Sequence, residues 1–253
     1  MINKRALKMA GFRCAQAIRL LPSVWMLRNP FKVYELQQLL AGAGLMRGDR
    51  VLDLGCGRGM QTQIIAKDCR TAVGVDTGSE QIEHANTFLK YSSVAPKVRF
   101  LCNTIQNAGL LSSSFEKVFS VCVLEHIVDL PEVLNVLHRL LIDGGGLHVT
   151  VDSLASIHDP VLLEQHRRAH AVVQYFTPET LSRQLNLAGF RIREIRPIMT
   201  GAFAANQFRR RITESNFSFS LPRRYAFVRR LRQEDRTNGS GQGIMLLARA
   251  QRL

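Results

Sequence analysis

The feature that most constrains this chain is a short apolar segment that ends in a glycine-rich turn. The segment Arg50–Leu54 leads directly into residues 55–59, where glycines are spaced as G-x-G-x-G. Such a turn lets the backbone approach a ligand closely and leaves amide groups free at the next helix N-terminus. Met60 stands where a dinucleotide-binding turn has its last glycine or alanine, and Asp53 comes just before the turn. The turn therefore suits a cationic amine better than a pyrophosphate, and a tight turn without a ligand is the alternative.

Apolar runs and helical patterns alternate along the chain. Predicted strands lie at about 50–54, 71–75, 97–102, 117–123 and 146–151, with helical patterns at about 60–68, 79–89 and 130–141. Two more strands, at about 190–199 and 243–250, follow a helix that Thr177 caps and that ends before Gly189. This alternation predicts a parallel sheet with helices on both faces, which binds ligands at the carboxyl ends of its strands.

A second acid stands at the end of the second predicted strand. Asp76 and Thr77 follow Val75, roughly twenty residues after the glycine turn. A carboxylate in this place can hold both hydroxyls of a ribose, and the alternative is that Asp76 only caps the following helix. Together, the glycine turn and Asp76 favour a ligand that carries a ribose.

The composition is that of a folded protein, because 46% of the 253 residues are hydrophobic. This length predicts one large domain, or one domain with appendages. We expect neither a spanning helix nor a secretory signal, since no run of about 18 apolar residues and no signal pattern is found. Five scattered cysteines without C-x-x-C spacing favour a reducing compartment, the cytoplasm, over a disulfide framework or a zinc site.

The charge is distributed unevenly along the chain. The net charge of +14 divides into +7 for residues 1–34, −5 for residues 35–164 and +12 for residues 165–253. A mildly acidic middle between two basic flanks favours an anionic partner, which could be a nucleic acid, a membrane surface or an anionic substrate.

Four segments resemble motifs of the class I S-adenosylmethionine-dependent methyltransferases. Residues 51–59 resemble motif I, 74–76 the acidic end of the second strand, 115–127 the fourth strand with its turn, and 137–146 the lead into the fifth strand, with Asp143 replacing a proline. The resemblance covers residues 46–200 and is nearest to the small-molecule branch around the ubiquinone-biosynthesis O-methyltransferases. It implies an α/β, Rossmann-like fold with a seven-stranded, mostly parallel sheet flanked by helices, and S-adenosylmethionine as the cofactor.

The same resemblance implies a role for each residue of the cofactor site. Asp53 is expected near the methionine amino group, and Asp76 on both ribose hydroxyls. The other residues expected around the cofactor are Gly55, Cys56, Gly57 and Gly59 at the methionine and ribose, Thr77, Asn103, Thr104 and Ile105 at the adenine, and Val121 at the methionine part. Asn103 stands where the family has an acid, and its carbonyl can still accept a hydrogen bond from the adenine amine.

The turn after the fourth strand departs from the family pattern. Where the ubiquinone branch has an acid that helps to place a divalent metal, this chain has Cys122, and Glu125 and His126 remain. A hard cation needs several oxygen ligands, so we predict no metal. His126 is the predicted catalytic residue, a general base that titrates near neutral pH. The alternative is that Glu125 and His126 only cap the next helix.

Residues 152–176 are the expected substrate wall. They carry His158, His166, Arg167, Arg168, His170 and Tyr175. The spacing of His166 and His170 would place two imidazoles on one helical face, as two metal ligands require, but no third ligand is evident. The alternative interpretation is a solvated helix.

Basic segments flank this region on both sides. An insertion at residues 200–242, rich in arginine and aromatic residues, predicts either a helical flap over the active site or a surface for anionic lipid or nucleic acid. The first 28 residues have a basic amphipathic pattern that suits a membrane interface, or a helix packed on its own domain. We therefore divide the chain into a basic helical segment, 1–45, and a methyltransferase domain, 46–253.

Three functions fit these observations. The motifs favour methyl transfer to a small molecule, with a hydroxyl of a lipophilic or membrane-borne compound as the expected acceptor, by a cytoplasmic protein peripheral to the membrane. An RNA methyltransferase rests on charge alone, because no Asn-Pro-Pro-Tyr turn follows the fourth strand and no RNA-binding module is recognisable. A non-catalytic binder of S-adenosylmethionine is the third. The sequence predicts no particular oligomeric state.

Overall fold

A computed structural model describes residues 23–214, 219–238 and 242–253 of the chain. The amphipathic pattern of the first 28 residues lies almost entirely outside this part. The membrane-interface prediction for it therefore stays a prediction.

Seven strands of the described residues form a single sheet. They are β1 (Arg50–Leu54), β2 (Thr71–Asp76), β3 (Val98–Cys102), β4 (Phe115–Val121), β5 (Leu141–Asp152), β6 (Phe190–Ile198) and β7 (Met245–Arg252). Their order is β3-β2-β1-β4-β5-β7-β6, with β7 antiparallel to both of its neighbours and the other pairs parallel. The predicted seven-stranded, mostly parallel sheet is confirmed.

Eight α-helices flank the sheet within the described residues. They are α1 (Pro30–Ala41), α2 (Met60–Ile65), α3 (Ser79–Leu89), α4 (Leu130–Leu140), α5 (Pro160–His170), α6 (Pro178–Leu187), α7 (Ala202–Thr213) and α8 (Leu221–Thr237). Thr177 caps α6 by accepting from the Thr180 amide, and the helix ends before Gly189, as predicted. None of the described helices is long and apolar enough to cross a bilayer.

Buried residues of the central strands fix the edge of the sheet that is predicted to bind ligands. Val51 and Leu52 on β1 are fully buried, as are Val118 and Phe119 on β4. β1 pairs in parallel with β2 and β4, so the carboxyl ends of these strands meet at one edge. The buried apolar residues hold in place the edge at which sheets of this kind bind ligands.

The segment before β1 belongs to the same hydrophobic core. Trp25 is 7% exposed and Phe31, Tyr34 and Leu36 are at most 2% exposed. These side chains belong to the core cluster that also contains Val51 of β1. The domain boundary at residue 45 stays a prediction, but residues 23–43 complete the core of the domain that follows them.

The insertion at 200–242 contains α7 and α8, and Phe203, Phe208 and Phe227 pack on the core. The Phe227 ring lies 5.1 Å from that of Phe31 and 4.9 Å from that of Phe203, centroid to centroid. Arg224 of α8 is buried and donates to the Trp25 carbonyl oxygen at 3.2 Å. The exposed arginines include Arg223, Arg229 and Arg230. The outer face of α8 is therefore solvated, while the flap over the active site stays a prediction.

Candidate active site

The glycine turn after β1 exposes its backbone to a ligand. Gly57 has a φ of +50°, and a Cβ there would meet nothing within 4 Å. The space beside Gly57 is therefore open, as a cofactor lying against this backbone requires. A Cβ on Gly59, by contrast, would lie 2.3 Å from the Phe100 ring, so Gly59 is needed for packing. The turn thus fits a bound S-adenosylmethionine at Gly57.

Asp76 holds the glycine turn from the neighbouring strand. Its carboxylate accepts hydrogen bonds from the Gly57 amide and from the Gly78 amide, both at 2.8 Å. The Gly55 amide, in turn, donates to the Val75 carbonyl oxygen at 2.8 Å. Asp76 therefore holds the glycine turn in place. Its contact with the ribose hydroxyls stays a prediction.

Asp53 lies behind the turn and is fully buried. Its two carboxylate oxygens accept from Thr62 Oγ1 at 2.6 Å and from Gln61 Nε2 at 2.9 Å. Burial raises the pKa of Asp53 to about 7, although these hydrogen bonds oppose the shift. Asp53 thus fixes the start of α2, and contact with the methionine amino group stays a prediction.

The residues expected at the adenine lie at the ends of β2 and β3. Thr77, Asn103 and Thr104 are exposed, whereas Ile105 is buried. The Asn103 side chain accepts from the Thr104 amide at 2.9 Å and donates to the Asn107 carbonyl oxygen at 2.8 Å. The Asn103 carbonyl oxygen has a second lone pair for the adenine amine. The structure brings these residues to one edge, and their ligand contacts stay predictions.

A cavity of about 320 Å³ opens beside the end of β4. Its polar lining consists of Lys32, Glu35, Glu125, His126, Asp152, His166, His170 and Arg211, and its other lining residues are Phe31, Val121, Cys122, Met199, Phe208 and Met245. Val121, predicted at the methionine part of the cofactor, thus also faces this second space. The cavity combines apolar walls with several charged groups, as an acceptor site would need.

One end of the cavity holds an ion pair that α1 supplies. Lys32 Nζ lies 2.9 Å from Glu35 Oε2 and 2.8 Å from Cys122 Sγ. The other Glu35 oxygen accepts from Cys122 Sγ at 3.1 Å and from Thr150 Oγ1. The Lys32 side chain is 32% exposed and that of Glu35 is 1% exposed. Burial works against the charged amine, but Cys122 and Glu35 outweigh it and raise the pKa of Lys32 above its usual range.

Two further carboxyls line the cavity next to this pair. Glu125 is fully buried, and neither of its oxygens has a hydrogen-bond partner among the described residues. Burial, with a contribution from Asp152, raises the pKa of Glu125 to about 8. Burial likewise raises the pKa of Asp152 to about 6, although Lys32 opposes the shift. At neutral pH this part of the cavity therefore retains a proton.

His126 lies at the exposed rim of the cavity. Its Nδ1 is 3.3 Å from the Ala171 carbonyl oxygen. A carbonyl oxygen can only accept, so this contact requires the hydrogen on Nδ1 and leaves Nε2 able to take up a proton. The alternative that Glu125 and His126 cap the next helix is wrong, because Asp129 caps α4 by accepting from the Glu132 amide at 3.2 Å.

Only some polar residues of the expected substrate wall, 152–176, line the cavity. His166 and His170 line the cavity, with ring centroids 4.7 Å apart, on one helical face as predicted. His166 is buried, contacts Tyr175 Oη at 3.1 Å and lies 3.7 Å from Asp152 Oδ2. Burial lowers its pKa to about 4. His158 is exposed and does not line this cavity. The alternative of a wholly solvated helix is therefore wrong, because His166 is buried.

A candidate set of metal ligands is present, but its chemistry does not fit a hard divalent cation. Atoms of Cys122, Glu125 and Asp152 lie within 4.8 Å of one another. Burial raises the pKa of the Cys122 thiol well above its ordinary value, so the sulfur keeps its proton. The Lys32 ammonium already contacts that sulfur and would repel a metal ion. Two carboxyls beside an ammonium are a poor site for such an ion.

Three polar residues of the cavity were not singled out from the sequence: Lys32, Glu35 and Asp152. Lys32 and Glu35 are spaced for an ion pair on one helix face, but nothing local indicates that α1 reaches the end of β4. Asp152 could have been found, because it ends a predicted strand in the same way as Asp76. Any acid at the carboxyl end of a strand in a parallel sheet is a candidate ligand-binding residue.

The sheet order, the glycine turn and the acid ending β2 together define a class I methyltransferase fold. A family model described as a methyltransferase domain matches residues 27–195. The chain belongs to this family, within the S-adenosylmethionine-dependent methyltransferases of small-molecule type. The predicted family, fold and cofactor are thereby confirmed.

Comparisons with individual proteins agree with this family. Arsenite methyltransferase from Mus musculus is 33% identical over 129 residues, 47% of this chain and 34% of that protein. Mitochondrial ubiquinone biosynthesis O-methyltransferase from Arabidopsis thaliana is 26% identical over 156 residues, 58% of this chain and 48% of that protein. This chain thus spans about a third to a half of the length of these two relatives.

A solved structure shares the fold over most of the chain. Geranyl diphosphate C-methyltransferase from Streptomyces coelicolor A3(2), in complex with S-adenosyl-L-homocysteine, superposes with a TM-score of 0.67. The alignment covers 88% of this chain and 78% of that one, at 15% identity. At this identity the likeness supports the architecture, while the acceptor must be argued from the cavity itself.

Proposed function

We propose that the protein transfers a methyl group from S-adenosylmethionine to a hydroxyl of a small, lipophilic acceptor held in the cavity beside β4. The observation that carries the proposal is the position of Val121, which ends β4 and lines the cavity. The same residue is expected at the methionine part of the cofactor. An acceptor in the cavity would therefore lie next to the methyl donor.

The cofactor would supply an activated methyl group on a sulfonium, so the protein needs mainly to align the acceptor and exclude water. Gly57 and Asp76 would hold the cofactor at the edge of the sheet. His126 Nε2 would take the proton of the acceptor hydroxyl, because its Nδ1 is directed at the Ala171 carbonyl.

The walls of the cavity support a lipophilic acceptor. Phe31, Met199, Phe208 and Met245 contribute apolar side chains, and methionines adapt their shape to irregular ligands. Polar groups concentrate on Lys32, the acids and the histidines, which suits one polar end on an otherwise apolar molecule. An amine acceptor would need no general base once it is neutral, so His126 favours the hydroxyl.

We also propose that the protein acts in the cytoplasm, at an anionic membrane surface where a lipophilic acceptor would be found. The exposed Arg223, Arg229 and Arg230 of α8 support this proposal, together with the basic first 34 residues. Lysine and arginine near an anionic bilayer each contribute about 1 kcal/mol. Binding to RNA is the competing interpretation of the same charge.

A matched pair of acceptors tests the proposed reaction. The full-length protein is incubated with S-adenosylmethionine and either a 4-alkylcatechol or the 4-alkylaniline of the same chain length, and products are identified by mass spectrometry. We expect methylation on oxygen of the catechol and none of the aniline. Methylation of the amine alone, or of a structured RNA included in a third sample and of neither small molecule, would overturn the proposal.

A further inference from the structure

We propose that the Lys32 ammonium is the cationic group of the acceptor site, where it binds the acceptor oxygen and stabilises the negative charge that develops on it. This proposal rests on the proposed transfer to a hydroxyl. It assigns to α1, which lies outside the strands that carry the cofactor site, a residue that touches the reacting atom. It also makes the reaction independent of a metal ion.

The position of Lys32 follows from contacts that hold it on two sides. Its Nζ contacts Glu35 and Cys122, and the buried Glu35 is itself held by Thr150 of β5. Cys122 directly follows Val121, so the ammonium lies beside the strand end where the methyl donor is expected. Lys32 is thus fixed in the cavity beside Cys122, next to the end of β4.

The donors of Lys32 are only partly used. An ammonium has three N–H donors, and its partners among the described residues are Glu35 and Cys122. Since Lys32 lines the cavity, the third hydrogen is available to a ligand oxygen. Arg211 also lines the cavity, but its guanidinium lies over the Phe208 ring at 6.0 Å, on α7 rather than at the strand end.

The remaining ionisable groups of the cavity leave this role to Lys32. Glu35 balances part of its charge, and burial raises the pKa of Glu125 to about 8, so Glu125 is mostly protonated at neutral pH. Asp152, with a pKa of about 6, is mostly ionised there and also faces Lys32. Among the histidines, His166 is buried and neutral at neutral pH, and His126 and His170 are exposed at the rim. A fixed ammonium in a partly desolvated cavity interacts strongly with an oxyanion, since water screens it less.

The transfer step balances without any further reactant. The O–H bond of the acceptor breaks and its proton goes to His126, while the oxygen keeps the electron pair. That pair forms the new O–C bond, and the electron pair of the broken carbon–sulfur bond stays on sulfur, which loses its positive charge. Lys32 remains protonated throughout and keeps its contacts with Glu35 and Cys122.

The experiment uses 4-nitrocatechol as a probe, because its ionisation is visible in its absorption spectrum. The pKa of the probe is measured free and bound to the full-length protein that holds S-adenosylhomocysteine, with calorimetry of S-adenosylhomocysteine on every sample. We compare wild type with Lys32→Met, which removes the charge, and Lys32→Arg, which keeps it. Lys90→Met, at the exposed end of α3, is the matched control. Glu35→Gln removes the negative partner of Lys32.

We expect Lys32→Met to raise the pKa of the bound probe by about one unit or more, a tenfold change in its ionisation. Lys32→Arg and Lys90→Met should stay near wild type. Glu35→Gln should lower the probe pKa, because the ammonium is then less neutralised. This opposite shift keeps the proposal testable if Lys32→Met does not fold.

The contrary outcomes are distinct from one another. Equal probe pKa values in wild type, Lys32→Met and Glu35→Gln, or no binding of the probe to wild type, would overturn the role of Lys32. If a chelator raises the pKa of the probe bound to wild type, the low pKa is due to a metal ion instead. Failure of wild type to bind S-adenosylhomocysteine would contradict the proposed function itself.

Discussion

At the scale of single residues, the acceptor cavity owes its character to how its charges are balanced. Glu35 is buried but accepts from Thr150 and Cys122 and faces Lys32. Glu125 is equally buried without a hydrogen-bond partner among the described residues, and its pKa rises to about 8 because of burial. Two buried glutamates of one cavity thus differ in their partners, and the one without a hydrogen-bond partner among the described residues has a raised pKa.

His126→Ala should lower the turnover number by about 100-fold while affinity for S-adenosylhomocysteine stays nearly unchanged, because the variant loses only a proton acceptor. Steady-state kinetics with a methylated product as readout, together with calorimetry, measures both quantities. The matched control is His158→Ala, since His158 is exposed and does not line the cavity. Equal turnover in the His126 variant and in wild type would remove His126 from the reaction.

Asp53 should make the stability of the protein depend on pH. Its pKa rises from 3.8 to about 7 in the folded protein because it is buried, so the folded state binds the proton more tightly than the unfolded state. The free energy of unfolding should then fall as pH rises between those two values. Asp53→Asn cannot titrate and should gain stability relative to wild type over this range, on the order of 2–4 kcal/mol.

Urea unfolding of wild type and Asp53→Asn at about pH 5 and about pH 8, on either side of most of the titration, measures this difference. Asp68→Asn is the control, since Asp68 is exposed on the surface. A stability difference between Asp53→Asn and wild type that stays the same at both pH values would show that Asp53 does not retain its proton on folding.

At the scale of elements, two helices outside the alternating pattern close the cavity. α1 contributes Phe31 and the Lys32–Glu35 pair, and α7 contributes Phe208. The Phe31 and Phe208 rings meet edge to face, 6.0 Å apart. The two helices therefore depend on each other for the apolar wall of the acceptor site.

Phe208→Ala should reduce the free energy of unfolding by about 3 kcal/mol, because Phe208 is 5% exposed and its removal leaves a cavity. The control Phe88→Ala removes a ring that is 50% exposed and should cost about 0.5 kcal/mol or less. Equilibrium denaturation of the three proteins gives both numbers. Equal losses in the two variants would show that α7 does not pack on α1 as described.

The strands and the cofactor turn were predictable because their signals are local. The run Arg50–Leu54, the glycine spacing and Asp76 each lie within a few residues, and parallel pairing then brings strand ends to one edge. The contacts of Glu35 with Cys122 and with Thr150, by contrast, join residues 87 and 115 positions apart. No periodicity indicates which helix will cover the end of β4, so the ion pair in the cavity could not be predicted.

At the scale of the whole molecule, the basic charge lies in the segments that flank an acidic middle. The net charge of −5 over residues 35–164 contrasts with +7 before and +12 after. The insertion nevertheless packs Phe203, Phe208 and Phe227 on the core and leaves Arg223, Arg229 and Arg230 exposed. Phe203, Phe208 and Phe227 are thus occupied by packing, and the exposed arginines remain available to an anionic partner.

Sedimentation with vesicles tests the proposed membrane surface. We expect the protein to bind anionic vesicles and not neutral ones, and to bind less as salt rises, because added salt screens the arginines. Removing residues 1–22 should weaken binding further while keeping Val24 and Trp25, which are buried in the core. Arg223→Gln with Arg229→Gln and Arg230→Gln should weaken it as well.

An RNA titration run in parallel decides between the two anionic partners. RNA binding would show a steep log-linear loss with salt, whereas burial of an apolar helix face would leave membrane binding partly resistant to salt. Tight RNA binding without sedimentation on anionic vesicles would reverse the proposed order of partners.

Calorimetry of S-adenosylhomocysteine with wild type and Asp76→Ala tests the central claim most directly. Asp76 accepts a hydrogen bond from the Gly57 amide of the glycine turn, and it is predicted to hold the ribose hydroxyls. Its removal should weaken binding by about 1.5–3 kcal/mol, roughly 10- to 150-fold. The control Glu80→Ala removes an exposed acid in the first turn of α3 and should bind as wild type does. Unchanged affinity in Asp76→Ala, or no binding by wild type, would contradict the account.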